Sequence, residues 1–390
     1  MHMITKQEMK NINRLTVLES IRAKGTTHRS ELANELRISL SRLSRIVESL
    51  LNDGWILETS EKEASIRKNT KFLKFNGVPH RIIGVDLGGT KIYGAIANLE
   101  GKILYETYFK HSQSHAEESY QVVCDVIDEL LRVADDDEYQ IDGIGIGVPG
   151  ITDGNTGVVS LAPGLDWQNF PLSSRLNEKY SYPMVVENDV NLAALGEAWY
   201  GFDDIKWKTL VLIAIGTGIG AGIIIDGDIY SGIHSMSGEI GYMVLDRTQL
   251  GGQYPGFGAF EQIASGTGIA ERARHSLAIQ TNSSRNGLIT SEDVFQAARQ
   301  KERWAEGIVA DTVDYLAQAI ASIQLTIDPE IIILGGGVSH SADLLIDPVL
   351  QRLAGIIPVI PRLQVSHLGY RAAVLGAAKK MMRITMGLNV

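Results

Sequence analysis

Three glycine-rich turns, each following a strand-like run of apolar residues, carry the strongest chemical signal in the sequence. In the first turn, Gly88, Gly89 and Thr90 lie between Asp86 and Lys91. Glycines let the backbone approach a phosphate and direct N–H groups at it, and the lysine adds a positive charge. Asp86, at the end of its strand, suits a magnesium ion held through water. The pattern predicts a phosphate-binding turn.

The same pattern recurs about 130 residues after the first turn and again near residue 335. The residues expected to bind phosphate there are Thr217, Gly218 and Gly220, followed by Gly336 and Gly337. One such turn is weak evidence because hairpins also need glycine, but the repetition indicates a duplicated domain with a cleft between its halves. The sequence contains no Gly-x-x-x-x-Gly-Lys-Ser/Thr string, which excludes a P-loop protein.

Strands must flank these turns if the turns are to face one another across a cleft. The apolar runs that predict such strands are 82–87, 91–97, 210–215 and 221–225. A helical stretch at 308–325 leads towards the third turn. The pattern predicts an α/β fold with two lobes, residues 79–195 and residues 196–390.

These motifs resemble the nucleotide-binding motifs of the ROK sugar kinases, which belong to the actin–hexokinase superfamily. The resemblance covers residues 82 to about 385. The matching strings are Asp86-x-Gly88-Gly89-Thr90-Lys91, Gly216-Thr217-Gly218-x-Gly220 and Gly335-Gly336-Gly337. The resemblance implies a duplicated actin/hexokinase-like (ribonuclease H-like) fold that binds Mg-ATP at the turns and a sugar in the cleft.

The resemblance also assigns a catalytic base. In the family, the string that corresponds to residues 187–189 contains this base, which here is Asp189, and Asn188 is expected to hydrogen-bond the sugar. A carboxylate at this position takes the proton from a sugar hydroxyl as its oxygen attacks the γ-phosphate. A simpler alternative is that Asp189 only caps the helix that follows it.

Further sugar ligands follow from the same resemblance. Glu239 and Glu261 match carboxylates of the family that accept sugar hydroxyls, and Asn169 lies in the segment that closes over the sugar. Trp167, in the same segment, suits either stacking on a sugar face or packing in the core.

One departure from the family concerns a structural zinc ion. The family binds zinc through one histidine, which also contacts the sugar, and three cysteines. Here the histidine position is Tyr242, and the cysteine positions are Gly252, Tyr254 and Ala259. None of these residues has the usual donors for zinc, so we expect no zinc here. Tyr242 keeps a hydroxyl that can reach a sugar, but its longer ring should change which sugar fits.

The first eighty residues contain no such glycine turns and show three short helical patterns. Only two residues, 37–38, separate the second pattern from the third. Ser30 is expected to cap the second helix, and the third is expected to begin near Ser39. Two short helices at a tight turn behind a supporting helix form a helix-turn-helix. The residues expected to contact DNA are Ser39, Ser41, Arg42, Ser44 and Arg45. The alternative is a helical dimerisation domain whose arginines are merely solvated.

Strand-like runs at 55–57 and 72–75 complete a winged helix over residues 1–78. This segment resembles the winged helix of ROK-family repressors in the strings Ser30-Glu31-Leu32-Ala33 and Leu50-Leu51-Asn52-Asp53-Gly54-Trp55-Ile56. That family usually ends its wing with Gly-Arg-Pro, whereas residues 66–69 here read Ile-Arg-Lys-Asn. The contact of the wing with DNA is therefore expected to differ.

The charge of the chain is unevenly distributed. The 390 residues carry a formal net charge of −10, yet residues 1–80 hold 14 Lys and Arg against 9 Asp and Glu. The excess of positive charge fits a DNA contact confined to this part. The single cysteine, Cys124, fits a reducing compartment. No apolar run is long enough for a membrane span, and a cytoplasmic protein is expected.

Two functions follow from these observations. The first is a sugar-sensing repressor, which binds operator DNA as a homodimer or homotetramer and takes a monosaccharide or sugar phosphate as effector. The second is an ATP-dependent sugar kinase with an attached DNA-binding domain, or a protein that does both. A purely structural ATP-binding module would not need the carboxylates at sugar-kinase spacing.

Overall fold

The structure is a computed structural model, and it describes residues 5–59, 71–89, 91–110, 115–137, 139–202, 207–254, 258–281 and 289–388. The chain begins with a small domain of three helices and a three-stranded antiparallel sheet in the order β1-β3-β2. Its elements are α1 (Lys6–Ala23), β1 (Thr26–Thr27), α2 (Arg29–Glu35), α3 (Leu40–Asn52), β2 (Ile56–Thr59) and β3 (Phe72–Phe75).

Caps and one apolar face explain these helices. Helix α3 begins beside Ser39 as predicted, Ser39 caps it, and Leu43, Val47 and Leu50 form its buried face. The prediction that Ser30 caps α2 is wrong. The cap is His28, whose Nδ1 accepts the backbone N–H of Glu31 at 3.0 Å. A ring nitrogen can therefore replace the usual hydroxyl or carboxylate cap, which sequence rules on serine do not anticipate.

The short strand β1 was not predicted from the sequence, because two threonines carry too little pattern. It pairs with β3, which closes the small sheet against the helices. The wing residues 66–69 lie outside the described residues.

The first lobe is built on a five-stranded sheet in the order β11-β7-β4-β5-β6, with a small antiparallel sheet, β10-β9-β8, beside it. Strands β4, β7 and β11 are parallel to one another, and β5 and β6 complete an antiparallel edge. The elements are β4 (Arg81–Leu87), β5 (Lys91–Asn98), β6 (Ile103–Lys110), α4 (Ala116–Asp136), β7 (Ile141–Val148), β8 (Ile151–Asp153), β9 (Val158–Ala162), β10 (Trp167–Phe170), α5 (Leu172–Lys179) and β11 (Met184–Asn188).

The second lobe repeats this design with the sheet order β14-β13-β12-β15-β16, again an antiparallel edge joined to parallel strands. The repetition confirms the predicted duplicated α/β fold. The remaining elements are α6 (Asp189–Gly196), β12 (Thr209–Ile215), β13 (Ile219–Ile225), β14 (Asp228–Ile229), α7 (Ala259–Ala264), α8 (Gly266–Thr281), α9 (Ser291–Arg299), α10 (Arg303–Ile327), β15 (Ile331–Gly335), α11 (Ile346–Leu353), β16 (Leu363–Val365) and α12 (Ala372–Thr385).

Helix α12 returns from the second sheet to cover the first. It packs on β4 and β7 and crosses α6 at very short distance. A Cβ on Gly376 would overlap the carbonyl oxygen of Leu192, and a Cβ on Gly145 would overlap Ala377. Glycine is required at both crossings because the backbones touch. The lobe boundaries given above remain predictions, since α12 joins the two lobes.

In the described part of the chain, no helix combines the length and the apolar character needed to cross a membrane.

Candidate functional site

The carboxyl ends of β4 and β11 bring two aspartates together on either side of β7. Asp86 and Glu187 both pair with Gly147 of β7, one from each side. Gly147 leaves room for the backbone of Asp189, since a Cβ there would lie 3.2 Å from the Asp189 Cα. The fold therefore places Asp189 beside Asp86, as ligand-binding α/β sheets place their sites at strand ends.

Burial and mutual repulsion disturb the ionisation of this pair. Burial raises the pKa of Asp86 to about 8, and the nearby charge of Asp189 adds to the shift. Burial also raises the pKa of Asp189 to about 6, although its Oδ1 accepts the backbone N–H of Val190 at 2.9 Å. A carboxyl with a pKa near the working pH is suited to accepting a proton.

The cap of α6 is Asn188 and not Asp189. The Asn188 Oδ1 accepts the backbone N–H of Asn191 at 2.9 Å, and its Nδ2 donates to the carbonyl of Gly150 at 2.9 Å. Asn188 therefore holds the N-cap position, while Asp189 lies in the first turn of α6 and accepts the N–H of Val190. One N–H of the Asn188 side-chain amide donates to Gly150. The amide group has a second N–H, which can donate to a sugar hydroxyl.

Two glutamates and a tyrosine extend the acidic pair into a larger group. Burial raises the pKa of Glu239 to about 7, and the charges of Asp189 and Glu261 raise it further. Burial also raises the pKa of Tyr242, and Glu239 and Glu261 add to this shift. We call Asp86, Asp189, Glu239, Tyr242 and Glu261 the cleft cluster. Several carboxylates and a phenol in one cleft match the donors and acceptors of a sugar's hydroxyls.

Glu261 connects the cleft cluster to the second glycine turn. Its Oε2 accepts the backbone N–H of Ile219 at 3.0 Å. A Cβ on Gly218 would overlap the same carboxylate oxygen. Gly218 is therefore needed to admit Glu261, a requirement that the phosphate-binding interpretation of this turn did not include.

The first two glycine turns face each other. A Cβ on Gly89 would lie 3.7 Å from the Thr217 Oγ1, while Gly88 donates its N–H to the carbonyl of Lys91 at 2.9 Å. Lys91 is exposed at the start of β5, and Thr90 lies outside the described residues.

The other predicted nucleotide ligands sit close by in the second lobe. Gly336, at φ 77°, packs on the end of β12, and Gly337 begins a short 3₁₀ helix. Gly220 lies against Val190 of α6, where a Cβ would be 3.4 Å from the valine side chain. This placement gives Gly220 a packing role between β13 and α6.

The two candidate residues of β10, Trp167 and Asn169, differ in their surroundings. Asn169 is exposed in the left-handed region at φ 49°. Trp167 is buried, donates its indole N–H to the carbonyl of Ala116 at 3.0 Å and stacks on Phe170. Of the two interpretations of Trp167, stacking on a sugar is wrong, because the ring faces the core.

The residues at the positions of the family's zinc ligands do not fit a zinc ion. Gly252 and Ala259 carry no donor, and Tyr254 uses its hydroxyl to donate to the carbonyl of Gln249 at 2.8 Å. The segment before these positions is held by Gln249. Its side-chain Oε1 accepts the backbone N–H groups of Leu245 and Asp246. Within the described ranges, no three His, Cys, Asp or Glu side chains come close enough to bind a metal ion.

The site contains one buried ion pair that sequence reasoning missed. Glu187 is buried, and its Oε1 accepts the backbone N–H of Asn188 at 2.9 Å and the Nδ2 of Asn191 at 3.1 Å. Its Oε2 pairs with Lys380 of α12. Two adjacent lysines within an otherwise apolar helix were the available signal, since lysine is rarely buried without a partner.

The first helical domain presents the predicted DNA-binding residues on one surface. Ser41, Arg42 and Arg45 are exposed on α3, Ser44 is half-buried, and the Ser39 Oγ accepts the N–H of Arg42. The Arg42 guanidinium also donates to the side chain of Asn13 on α1 at 3.2 Å. Arginines on the exposed first turns of the second helix of a helix-turn-helix suit the major groove of DNA.

The chain matches two known domain families along its length. Residues 82–383 match the model of the ROK family, and residues 10–56 match that of winged helix-turn-helix DNA-binding domains.

Similar proteins include both kinases and regulators. A glucokinase from Halalkalibacterium halodurans is 33% identical over 308 residues, which cover 75% of this chain and 92% of the relative. A xylose repressor from Caldicellulosiruptor bescii is 28% identical over 385 residues, 94% of each chain. A solved ROK family transcriptional regulator, described as a homologue of the E. coli MLC protein, superposes with a TM-score of 0.83 at 25% identity over 98% of each chain.

Proposed function

The chain belongs to the ROK family, and from that premise we propose that it is a sugar-responsive transcriptional repressor of carbohydrate-utilisation genes. Both resemblances inferred from the sequence motifs, to the ROK body and to the winged helix, are confirmed. One observation carries the proposal. A winged helix with exposed Arg42 and Arg45 and a ROK body with the cleft cluster occur together in this chain, which aligns with 94% of a xylose repressor at 28% identity.

The effector we propose is a monosaccharide or sugar phosphate bound by the cleft cluster. Glu239 and Glu261 would accept sugar hydroxyls, Asn188 would donate to one, and the Tyr242 hydroxyl would take the place of the family's histidine. Asn169, exposed on β10, would be a further sugar contact. The names of the relatives make D-xylose and D-glucose the first sugars to test.

Repression would follow from the geometry of two winged helices in a homodimer or homotetramer. Half-sites on DNA are spaced by about one helical turn, roughly 34 Å, or a multiple. A sugar that binds the closed cleft more tightly than the open one shifts the population towards closure. If closure rotates the winged helices, the spacing no longer matches the operator. We place this cycle in the cytoplasm, where operator DNA and sugars are both available.

The test is a gel-retardation assay with the full chain and the DNA upstream of its own gene. Specific retardation that changes with D-xylose, D-glucose or another sugar of a panel is expected. The variant Arg45→Ala should need about tenfold more protein for the same retardation, while its sugar binding, measured by calorimetry, stays intact. A wild-type protein that retards no upstream fragment, with or without sugars, would contradict the proposal.

We also propose sugar kinase activity as a second function, because Asp86 and Asp189 lie close enough to interact and the first two glycine turns face each other. The residues fit Mg-ATP. Asp86 carries a carboxyl whose pKa of about 8 a divalent cation would lower, and Gly88 and Gly89 add no side chain to the first turn. Magnesium bound there would neutralise charge on the transferring phosphate.

Asp189 would act as the general base in this reaction. Its carboxylate would accept the proton of the attacking sugar hydroxyl, which requires the ionised form. The pKa of about 6 therefore predicts a rate that rises between pH 5 and 7 and then levels off. The test measures ADP release from Mg-ATP with a panel of hexoses and pentoses. A rate that Asp189→Ala leaves unchanged would exclude this chemistry.

A further inference from the structure

Helix α12 carries three basic side chains that each contact a different part of the molecule. Lys379, Lys380 and Arg383 stand within five residues of a helix whose other residues from 372 to 382 are mainly apolar and buried. Burying an ammonium group costs free energy unless a partner compensates it. The partners of these three residues therefore show which parts of the protein are linked through α12.

Lys380 connects α12 to the strand that carries the sugar site. It pairs with Glu187, and the lysine side chain is 5% and the glutamate side chain 1% exposed. Glu187 in turn holds the backbone N–H of Asn188 and the side chain of Asn191. A shift of the segment containing Asp189 must therefore either move Lys380 or break a buried ion pair.

Lys379 connects the same helix to the DNA-binding domain. It pairs with Glu19 on α1, and its side chain is 2% exposed. Its Nζ lies 3.5 Å from the ring centroid of Trp199, and the Arg22 guanidinium of α1 lies over the same ring at 4.2 Å. The α1 helix is further fixed by Asn11, which donates to the carbonyl of Gly387 just beyond α12 at 2.7 Å.

Arg383 connects α12 to the second lobe through Asp228 of β14. The first lobe, the second lobe and the winged helix thus all contact one turn of one helix. Because consecutive helical residues move together, displacement of Lys380 displaces Lys379.

We propose that Lys379 and Lys380 form a two-lysine relay. In this relay, sugar binding displaces Glu187, the displacement passes through Lys380 and Lys379 of α12, and it reaches Glu19 of the winged helix. The relay rests on the proposed repressor function and specifies its transmission path. Lys379 and Glu19 are positioning residues. They pair with each other, and neither belongs to the cleft cluster or to the residues predicted on α3 to contact DNA.

Two variants test the relay, Glu19→Gln and Lys379→Met, with Lys379→Arg as the conservative replacement. Glu19 is 31% exposed, so Glu19→Gln should fold even if the buried Lys379→Met does not. The matched control is Glu31→Gln, which breaks the ion pair with Lys24 inside the winged helix alone. Operator Kd is measured by fluorescence anisotropy with and without saturating D-xylose or D-glucose, and sugar Kd by calorimetry without DNA.

The ratio of the two operator Kd values is the decisive readout. If the wild type shows a coupling of ordinary size, about 5- to 150-fold, the ratio should fall towards one in Glu19→Gln and Lys379→Met. The ratio should persist in Lys379→Arg and Glu31→Gln, and sugar Kd should stay within about threefold of the wild type in all variants. A merely structural role would weaken operator binding equally with and without sugar.

Two further outcomes separate the relay from the function on which it rests. A wild type that responds to sugar, with Glu19→Gln responding equally, overturns the relay and leaves the repressor in place. A wild type whose operator binding responds to no sugar of the panel overturns the repressor and the relay with it. Trp199 offers a second readout, since its fluorescence should change on sugar binding in the wild type and not in Lys379→Met.

Discussion

Replacing Asp189 with asparagine should stabilise the protein at neutral pH while abolishing kinase chemistry. The carboxyl of Asp189 has a folded-state pKa of about 6 against an ordinary value of 3.8, because it is buried beside Asp86. Since the folded pKa lies above the unfolded one, ionisation opposes folding. The penalty is absent below pH 3.8, grows between pH 3.8 and about 6, and is complete above pH 6.

The size of the effect follows from that shift. Two pKa units correspond to about 3 kcal/mol in the free energy of unfolding. Asp189 is also the first residue of α6, where a negative charge stabilises the helix by about 0.3–1 kcal/mol, which asparagine forfeits. Asparagine keeps the Oδ1 that accepts the N–H of Val190. A net gain of about 2 kcal/mol at pH 7.5 is therefore expected for Asp189→Asn.

Urea denaturation at pH 4, 6 and 7.5 measures this gain, followed both by circular dichroism and by tryptophan fluorescence. Asp125→Asn, on the exposed face of α4, is the matched control and should change little at any pH. Two results would contradict the reasoning: a free energy of unfolding that Asp189→Asn does not raise at pH 7.5, or one that it raises equally at pH 4. In either case, burial does not penalise the ionised carboxyl of Asp189. The assignment of Asp189 as a base whose pKa is raised by burial would then be wrong.

Three further predictions concern packing, DNA and metal. Gly376→Ala should lower the free energy of unfolding by about 3 kcal/mol or more, because its Cβ would overlap the Leu192 carbonyl; Gly307→Ala, which meets nothing within 4 Å, should raise it slightly in the same urea assay. Arg45→Ala should weaken operator binding by about tenfold in fluorescence anisotropy, without changing sugar Kd. Dialysis against EDTA should leave the thermal midpoint unchanged, since no zinc is expected beside Tyr242, and elemental analysis that finds one zinc per chain would contradict this.

The local parts of the fold were predictable from the sequence. Strand β4, its glycine turn and β5 follow from apolar runs around Gly88 and Gly89, and the start of α3 follows from Ser39. Each of these depends on residues a few positions apart, where periodicity and turn chemistry decide the structure.

Some local details, such as the His28 cap and β1, were also not predicted, and the sequence left open the contacts between residues far apart in the chain. The core position of Trp167 is set by Phe170 and by the carbonyl of Ala116, which no local pattern reveals. The pairing of Glu187 with Lys380 spans 193 residues and requires knowing that α12 crosses the first sheet. The assignment of Asp189, Glu239 and Glu261 to one site came from the family resemblance, and their burial and raised pKa values came only from the structure.

The crossing of α12 over the first sheet also affects how the protein is made. Strands β4 and β7 present Gly84 and Gly145 to this helix, yet the helix is synthesised roughly 290 residues after β4. At a translation rate of about 5–20 residues per second, the glycine face waits about 15–60 s for its cover. The first lobe cannot complete its core on the ribosome before α12 has emerged, so this face of the sheet stays uncovered by α12 while the second lobe is being synthesised.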